Sequence, residues 1–296
     1  MKLIGGFCYN LDVIIDFHTH VFSPRIKKNR ARYVDADPSF ALLYSKKDAA
    51  LATTDELIAS MDEDGVDMSV ILNIGWTTHE LCVETNDYIL ESIARYPDRL
   101  IGFASVQPQS TEAAIAEIER CARSGIKGIG ELRPDMQLID PGDAVVMEPF
   151  VETMVKHKLI LLTHSSDPIG HQHPGKGGVT PEILYYLIEN YPELTVVCAH
   201  WGGGLPFYAL MPEVKQAMGN VFFDTAASPY LYLPQIYYQV SQLVGSDRIL
   251  FGSDYPLLAP SRLLNEIDSL GLPEETRGLI LSGNARRLLG IKSKNE

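Results

Sequence analysis

Eight short runs rich in Val, Ile and Leu, each followed by a polar turn and an amphipathic stretch of helical period, dominate this chain. They are Asp12–His18, Met68–Ile74, Leu100–Val106, Ile126–Leu132, Leu159–His164, Leu194–His200, Asn220–Asp224 and Arg248–Asp254. Strands that are apolar on both faces and alternate with helices belong to a parallel sheet covered by those helices. Eight such units close on themselves, so the expected fold is a single, distorted (β/α)8 TIM barrel in the α/β class. The length of 296 residues suits one barrel with insertions. Helix starts are marked by Thr54-Asp55-Glu56, by Ser110-Thr111-Glu112 and by Thr180-Pro181-Glu182, which carries proline in its first turn. No linker or low-complexity tract interrupts the rhythm, which predicts one domain over residues 1–296. Two long segments stand out, an insertion at Val21–Ala52 after the first strand and a loop at Ser165–Val179 after the fifth. Both follow strands, which places them at the carboxyl face, where barrel loops build active sites and lids.

The same face collects the residues able to bind metal. In Asp16-Phe17-His18-Thr19-His20 the period of a strand puts His18 and His20 on one side with their imidazoles able to converge. Alone, a His-x-His pair is equally a polar loop mouth. Recurrence changes the balance, because Glu131, His164, His200 and Asp254 also stand at or near the ends of strand-like runs. Imidazole nitrogen and carboxylate oxygen are the donors of Zn²⁺ and similar divalent ions. A catalytic site of that kind keeps a position open for water, whose pKa the cation lowers towards about 7, and that water is the expected nucleophile. Asp254 is expected to act as ligand and base together. His200, followed by Gly202-Gly203-Gly204, reads either as a ligand of a second ion or as an acid that polarises the substrate.

Charge narrows the partners. The formal net charge of −13, without a basic stripe, argues against nucleic acid and anionic membrane and leaves a small-molecule substrate. Cys8, Cys82, Cys121 and Cys198 have no CxxC spacing and read as free thiols of a reducing compartment, with the cytoplasm as default. The segment Met1–Asn10 is too short and too weakly apolar for a secretory signal, and no run reaches the length of a membrane span.

These motifs resemble those of the amidohydrolase superfamily, within it the amidohydrolase-related group that includes aminocarboxymuconate-semialdehyde decarboxylase-like enzymes. The resemblance runs from Asp16-Phe17-His18-Thr19-His20 through Thr163-His164, Ala199-His200-Trp201-Gly202-Gly203 and Phe251-Gly252-Ser253-Asp254-Tyr255-Pro256 to Gly283-Asn284-Ala285-Arg286-Arg287-Leu288-Leu289. It implies a first metal held by His18, His20, His164 and Asp254, with His200 beside it, and a last helix packed under the barrel. Glu131 occupies the place where members with two metals carry a bridging carboxylated lysine or glutamate, which leaves one or two ions per chain open. An anion between two cations offsets their repulsion, but Glu131 is equally able to pair with Arg133 or Lys127.

Substrate contacts are expected from the loops. Arg133, whose planar fork matches a carboxylate, is the strongest candidate for holding an anionic substrate. His171, His173 and Lys176 in Ser165–Val179 are candidates too, against the plain alternative of a solvated lid. Arg25 and Arg32 sit in a basic stretch that reads equally as an exposed arm. His79 and His157 lie away from strand ends and read as structural. Trp76 and Trp201 line the pocket or pack under loops. Tyr230–Tyr238 reads as the apolar start of a helix or as a subunit contact, with a homodimer as the default assembly. The expected reaction is hydrolysis of a C–N or C–O bond in a small carboxylate-bearing molecule, with Asp254 passing the proton to the leaving group. Non-oxidative decarboxylation or hydration at the same site is the alternative, and a non-catalytic metal-binding barrel is a third.

Overall fold

The structure, a computed structural model, describes residues 13–291 in full and, by backbone alone, a short antiparallel hairpin that pairs Lys2–Ile4 with Phe7–Tyr9. Asp12, at the start of the first expected strand, and the Cys8 side chain lie outside the described residues. The strands are β1 (Ile15–His20), β2 (Met68–Leu72), β3 (Leu100–Ala104), β4 (Gly128–Leu132), β5 (Ile160–Thr163), β6 (Val196–Cys198), β7 (Val221–Asp224) and β8 (Ile249–Leu250). They pair in parallel with their sequence neighbours, in the order 1 to 8. The chain after β8 then closes the ring onto β1. Phe17 N donates to Phe251 O at 2.7 Å, Asp254 N to His18 O at 2.9 Å and His20 N to Tyr255 O at 2.7 Å. All eight expected strands are present in a (β/α)8 barrel.

Adjacent residues on a strand separate into two buried layers, as alternation across a pleated sheet requires. Ile71, Leu161 and Val196 pack with helix residues such as Leu57, Ile89, Ile118, Met154 and Leu184. Their neighbours Val70, Leu162 and Val197 join Phe17, Phe103, Ile160, Phe222 and Leu250 in the layer that fills the barrel. Phe17 and Phe103 meet there edge to face, with ring centroids 5.7 Å apart. Fully burying such a side chain contributes about 1.5–3 kcal/mol. Ala285 and Leu289, from the last helix (Asn284–Leu289), close the bottom of this layer. Asn284 fixes that helix by donating to Ile249 O at 2.7 Å and Ser246 O at 2.8 Å.

The helix starts read from the sequence are where the helices begin. Thr53 caps Thr54–Asp64 in a capping box with Glu56, a cap worth about 1 kcal/mol. Thr111 and Thr180 precede Glu112–Arg123 and Pro181–Asn190 without a side-chain capping bond. The insertion after β1 is more ordered than a loop. It forms three short helices, Pro24–Lys28, Arg30–Ala36 and Pro38–Tyr44, seated by Phe22, Tyr33, Phe40 and Trp76 in a separate aromatic cluster. Phe40 stacks on Trp76 at 5.2 Å and carries the adjacent Tyr44 at 4.9 Å. Trp76 therefore packs under the insertion.

Several strands end earlier than the apolar runs suggest, β2 at Leu72 and β3 at Ala104 among them, and for two others this moves a candidate site residue. β6 stops at Cys198 and β8 at Leu250, so His200 and Asp254 stand on the turns beyond them. Their φ angles of 54° and 69° lie in the left-handed region, as does that of Trp201 at 58°. Non-glycine residues rarely adopt this backbone, and it concentrates at functional sites. Cys82, Cys121 and Cys198 are buried free thiols. Among the described residues no helix is long and apolar enough to cross a membrane.

Candidate active site

The carboxyl ends of the strands bring His18, His20, Glu131, His164, His200 and Asp254 into one buried group. Register irregularities aim several of them. Between Asp16 and Thr19, β1 carries one residue more than β2, so Phe17 fills the barrel while His18 and His20 both turn to its mouth. A second register shift between Ile129 and Leu132 sets Glu131. Gly130 makes that strand possible, since a Cβ there would sit 2.4 Å from Leu162 O.

His18 Nε2 and His20 Nε2 lie 3.0 Å apart, and Asp254 Oδ1 is 3.3 Å from the latter and 3.7 Å from the former. Glu131 faces the ring of histidines, with Oε1 at 3.0 Å from His164 Nδ1 and 3.4 Å from His200 Nε2, and Oε2 at 3.8 Å from His20 Nε2. The alternative pairing of Glu131 with Arg133 or Lys127 does not form. Arg133 instead approaches Asp135 at 3.4 Å and donates to Gly175 O at 3.0 Å.

Two triplets present ligand atoms all within 4.8 Å of one another, His18–His20–Asp254 and His18–Glu131–His200. His164 belongs to neither; its Nδ1 meets Glu131 and its Nε2 meets Ser166 Oγ at 3.1 Å. The donor set fits a divalent ion on two grounds. Buried imidazoles and carboxylates are what such ions bind. The site also holds two buried carboxylates in their charged form, which positive charge beside them favours. Burial opposes ionisation of Glu131, but His164, His200 and His18 outweigh it and hold the carboxyl well below its usual range. Asp254 is likewise held low by His20, His18 and His200 against the effect of burial. Burial pulls the His18 imidazole down, yet Asp224, Glu131 and Asp254 raise it to about 10, so a proton supplies positive charge where an ion would.

Asp224, at the end of β7, is a residue that sequence reasoning passed over. Its Oδ2 holds His18 Nδ1 at 2.8 Å, while Oδ1 accepts from His200 N at 2.9 Å and Ala226 N at 3.1 Å. One carboxylate thus orients a candidate ligand and fixes the strained backbone of another, a common supporting arrangement behind metal-bound histidine. Its position at a strand end was the available signal.

A cavity of about 420 Å³ opens above these groups. Leu43, Tyr44, Ala50, Leu231, Pro256 and Leu257 give it apolar walls, and Arg133, Lys46, His171 and His173 supply cationic or imidazole groups. Lys176 is not in the lining, and its Nζ ties the loop to itself through Ile169 O at 2.7 Å and Gly170 O at 3.2 Å. Arg25 faces Glu84 at 3.8 Å, and Arg32 lies over Tyr33. Sequence reading also missed Tyr44, Lys46 and Ser166. The loop Ser165–Val179 is anchored where it covers the cavity. Gly177 N donates to Ser166 Oγ at 2.9 Å, Gly178 N to Asp135 Oδ2 at 3.0 Å, and the Tyr232 hydroxyl to Asp167. At Gly203, with φ of 56°, a Cβ would meet Ser166 O at 2.5 Å, so only glycine lets the His200 turn approach this loop.

Comparison with known proteins fits this arrangement. A family model described as Amidohydrolase matches residues 15–291. A 2-amino-3-carboxymuconate-6-semialdehyde decarboxylase of Dictyostelium discoideum is 23% identical, over 94% of this chain and 91% of its own. A gamma-resorcylate decarboxylase of Polaromonas sp. is 24% identical, over 80% and 87%. The crystal structure of a 5-carboxyvanillate decarboxylase from Novosphingobium aromaticivorans, complexed with manganese and 4-hydroxy-3-methoxy-5-nitrobenzoic acid, superposes with a TM-score of 0.73 at 20% identity, over 94% of this chain and 96% of that one. These relatives overturn the expectation of C–N or C–O hydrolysis. All three are named for decarboxylation, a reaction that residue types and spacing do not distinguish from hydrolysis.

Proposed function

We propose, from the premise that this chain belongs to the amidohydrolase family, that it is a metal-dependent, non-oxidative decarboxylase of a small molecule bearing a carboxylate and a second polar or anionic group. The observation that carries this reading is the buried His18, His20, Glu131, His200 and Asp254 cluster beneath a cavity whose lining combines apolar side chains with Arg133, Lys46, His171 and His173. The relatives, decarboxylases of a carboxymuconate semialdehyde, of gamma-resorcylate and of 5-carboxyvanillate, support the same substrate class.

His18, His20 and Asp254, with Glu131 and His200 adjoining, would hold the ion, with His164 positioning Glu131. Zinc and manganese both suit nitrogen and carboxylate donors. Both triplets use His18, whose Nδ1 is engaged by Asp224, leaving a single nitrogen for coordination. One lone pair serves one ion, so we assign one ion per chain. A divalent ion there supplies Lewis-acid stabilisation of negative charge on a substrate oxygen.

The protein's own groups do the rest. Loss of CO₂ breaks a C–C bond, leaves the electron pair on the substrate and requires one proton at that carbon. Asp254 faces the cavity and is the group we assign to deliver it. Held as a carboxylate in the free enzyme, it would act as a relay, accepting a proton that originates in solvent and passing it to that carbon. The departing carboxylate becomes neutral, so it belongs against Leu43, Leu231 and Leu257. Arg133 then holds the group that stays charged, because a guanidinium on the departing carboxylate would favour the ground state.

The test is a panel of ortho-hydroxybenzoates and carboxymuconate semialdehydes set beside esters, lactones and amides of similar size. Turnover confined to the carboxylates, with release of CO₂, is the expected result. Cleavage of an ester, lactone or amide with no loss of CO₂ from any carboxylate would overturn the proposal.

A further inference from the structure

Arg133 is fixed at both ends of its side chain. It stands between β4 and the single helical turn Pro134–Gln137, and its backbone N donates to Gln137 Oε1 at 2.9 Å. Gln137 is itself buried and donates through Nε2 to Trp76 O at 3.0 Å and Val106 O at 2.7 Å, which secures the root of the side chain. At the tip, Nη2 donates to Gly175 O, and Nε faces Asp135 Oδ1 at 3.4 Å. Nε and Oδ1 are both buried, and neither has a hydrogen-bond partner among the described residues, so opposite charge rather than a hydrogen bond sets them against each other. Asp135 Oδ2 meanwhile accepts from Gly178 N at 3.0 Å. Between Gly175 and Gly178 the loop lies directly on the pair, since a Cβ at Gly177 would sit 2.2 Å from Asp135 Oδ2 and 3.0 Å from Arg133 Nη2. Among the described residues Nη1 of Arg133 has no partner, and the residue lines the cavity.

We propose that Asp135 is a positioning residue for substrate binding. It turns the Arg133 guanidinium so that the Nη1 end serves the cavity, and it joins that guanidinium and the loop Ser165–Val179 into one unit. The inference rests on the assignment of Arg133 to the substrate group that stays charged. An arginine side chain is long and flexible, and its planar fork grips an anion best when its orientation is set before the anion arrives. Asp135 beside Nε and Gly175 O on Nη2 define the plane of that fork. The same two residues bracket Gly177, so a swing of the guanidinium would disturb the loop that covers the cavity. By charge alone Asp135 opposes the task, because a carboxylate beside Arg133 weakens its pull on an anion. Orientation and attraction therefore predict opposite effects when that charge is removed.

Steady-state kinetics and amide exchange on Asp135→Asn, Arg133→Met and the double variant test this. Asparagine keeps an oxygen for Gly178 N and removes the charge that faces Nε. With a carboxylate of the panel that the wild type decarboxylates, Asp135→Asn is expected to raise KM about 10-fold and to leave kcat within about two-fold. In the Arg133→Met background the same change is expected to raise KM no further, because a residue that acts through Arg133 then has nothing to position. Amide exchange of the metal-loaded, ligand-free protein needs no substrate. There the protection of residues 174–178 is expected to fall at least about 10-fold in either single variant and no further in the double, with the barrel strands unchanged. A panel without any decarboxylated member would overturn the proposed reaction, and the exchange result would then decide this inference by itself. A KM that falls or stays constant in Asp135→Asn, a rise in KM of equal size with and without Arg133, or unaltered exchange at 174–178 in both single variants would each overturn the positioning role.

Discussion

Asp254→Asn is expected to lower turnover of the substrate at least about 10³-fold, a loss of roughly 4 kcal/mol of transition-state stabilisation, while the barrel stays folded. The amide keeps the shape of the carboxyl but is far too weak an acid to transfer a proton. The backbone of this residue is secured independently of its side chain, because Asp254 N donates to His18 O and Leu257 N donates to Asp254 O at 2.8 Å. Steady-state kinetics beside elemental analysis separates the two roles assigned to Asp254. Lost turnover with the ion retained marks the proton donor; lost turnover with the ion lost marks a ligand only. Turnover within a few-fold of wild type would remove Asp254 from the chemistry.

Removing the divalent ion with a chelator is expected to reduce turnover to background, and adding zinc or manganese back to restore it. Elemental analysis of protein purified without chelator should give one ion per chain. His18→Ala is expected to bind none and to stay inactive whatever ion is added. This effect should be as large as that of Asp254→Asn, because without the cation Glu131 and Asp254 confront an anionic substrate across a few ångströms in a buried site. Two ions per chain would contradict the assignment of a single site built on His18 Nε2. Full activity after chelation would contradict metal dependence altogether.

Much of the fold was legible because parallel strands buried on both faces leave continuous apolar runs, and those runs fell in the right number and order. Their ends were less legible. The runs toward His200 and Asp254 continue past Cys198 and Leu250, yet the backbone turns left-handed at both candidate residues, a conformation that apolar patterning does not encode. Glu131 and His164 stood out because a polar residue closing a buried strand is costly unless it is used. Asp224 carried the same mark at the end of β7, but its role lies behind His18 and shows only when the strands are assembled. Tyr44 came from an insertion whose three short helices have little periodicity, and it reaches the cavity by resting on Phe22 and Phe40. Lys176 shows the opposite case, a charge in the right loop whose ammonium is spent on carbonyls of that loop. Reaction type was the least legible, since hydrolysis and decarboxylation ask the same residue types of the same strand ends.

The most direct measurement follows one substrate of the carboxylate panel by NMR in D₂O with the released gas trapped. The expected result is one CO₂ per turnover and a product carrying a single deuterium at the carbon that lost it. A product that retains every carboxylate carbon and gains the elements of water would contradict decarboxylation and return the site to hydrolytic chemistry.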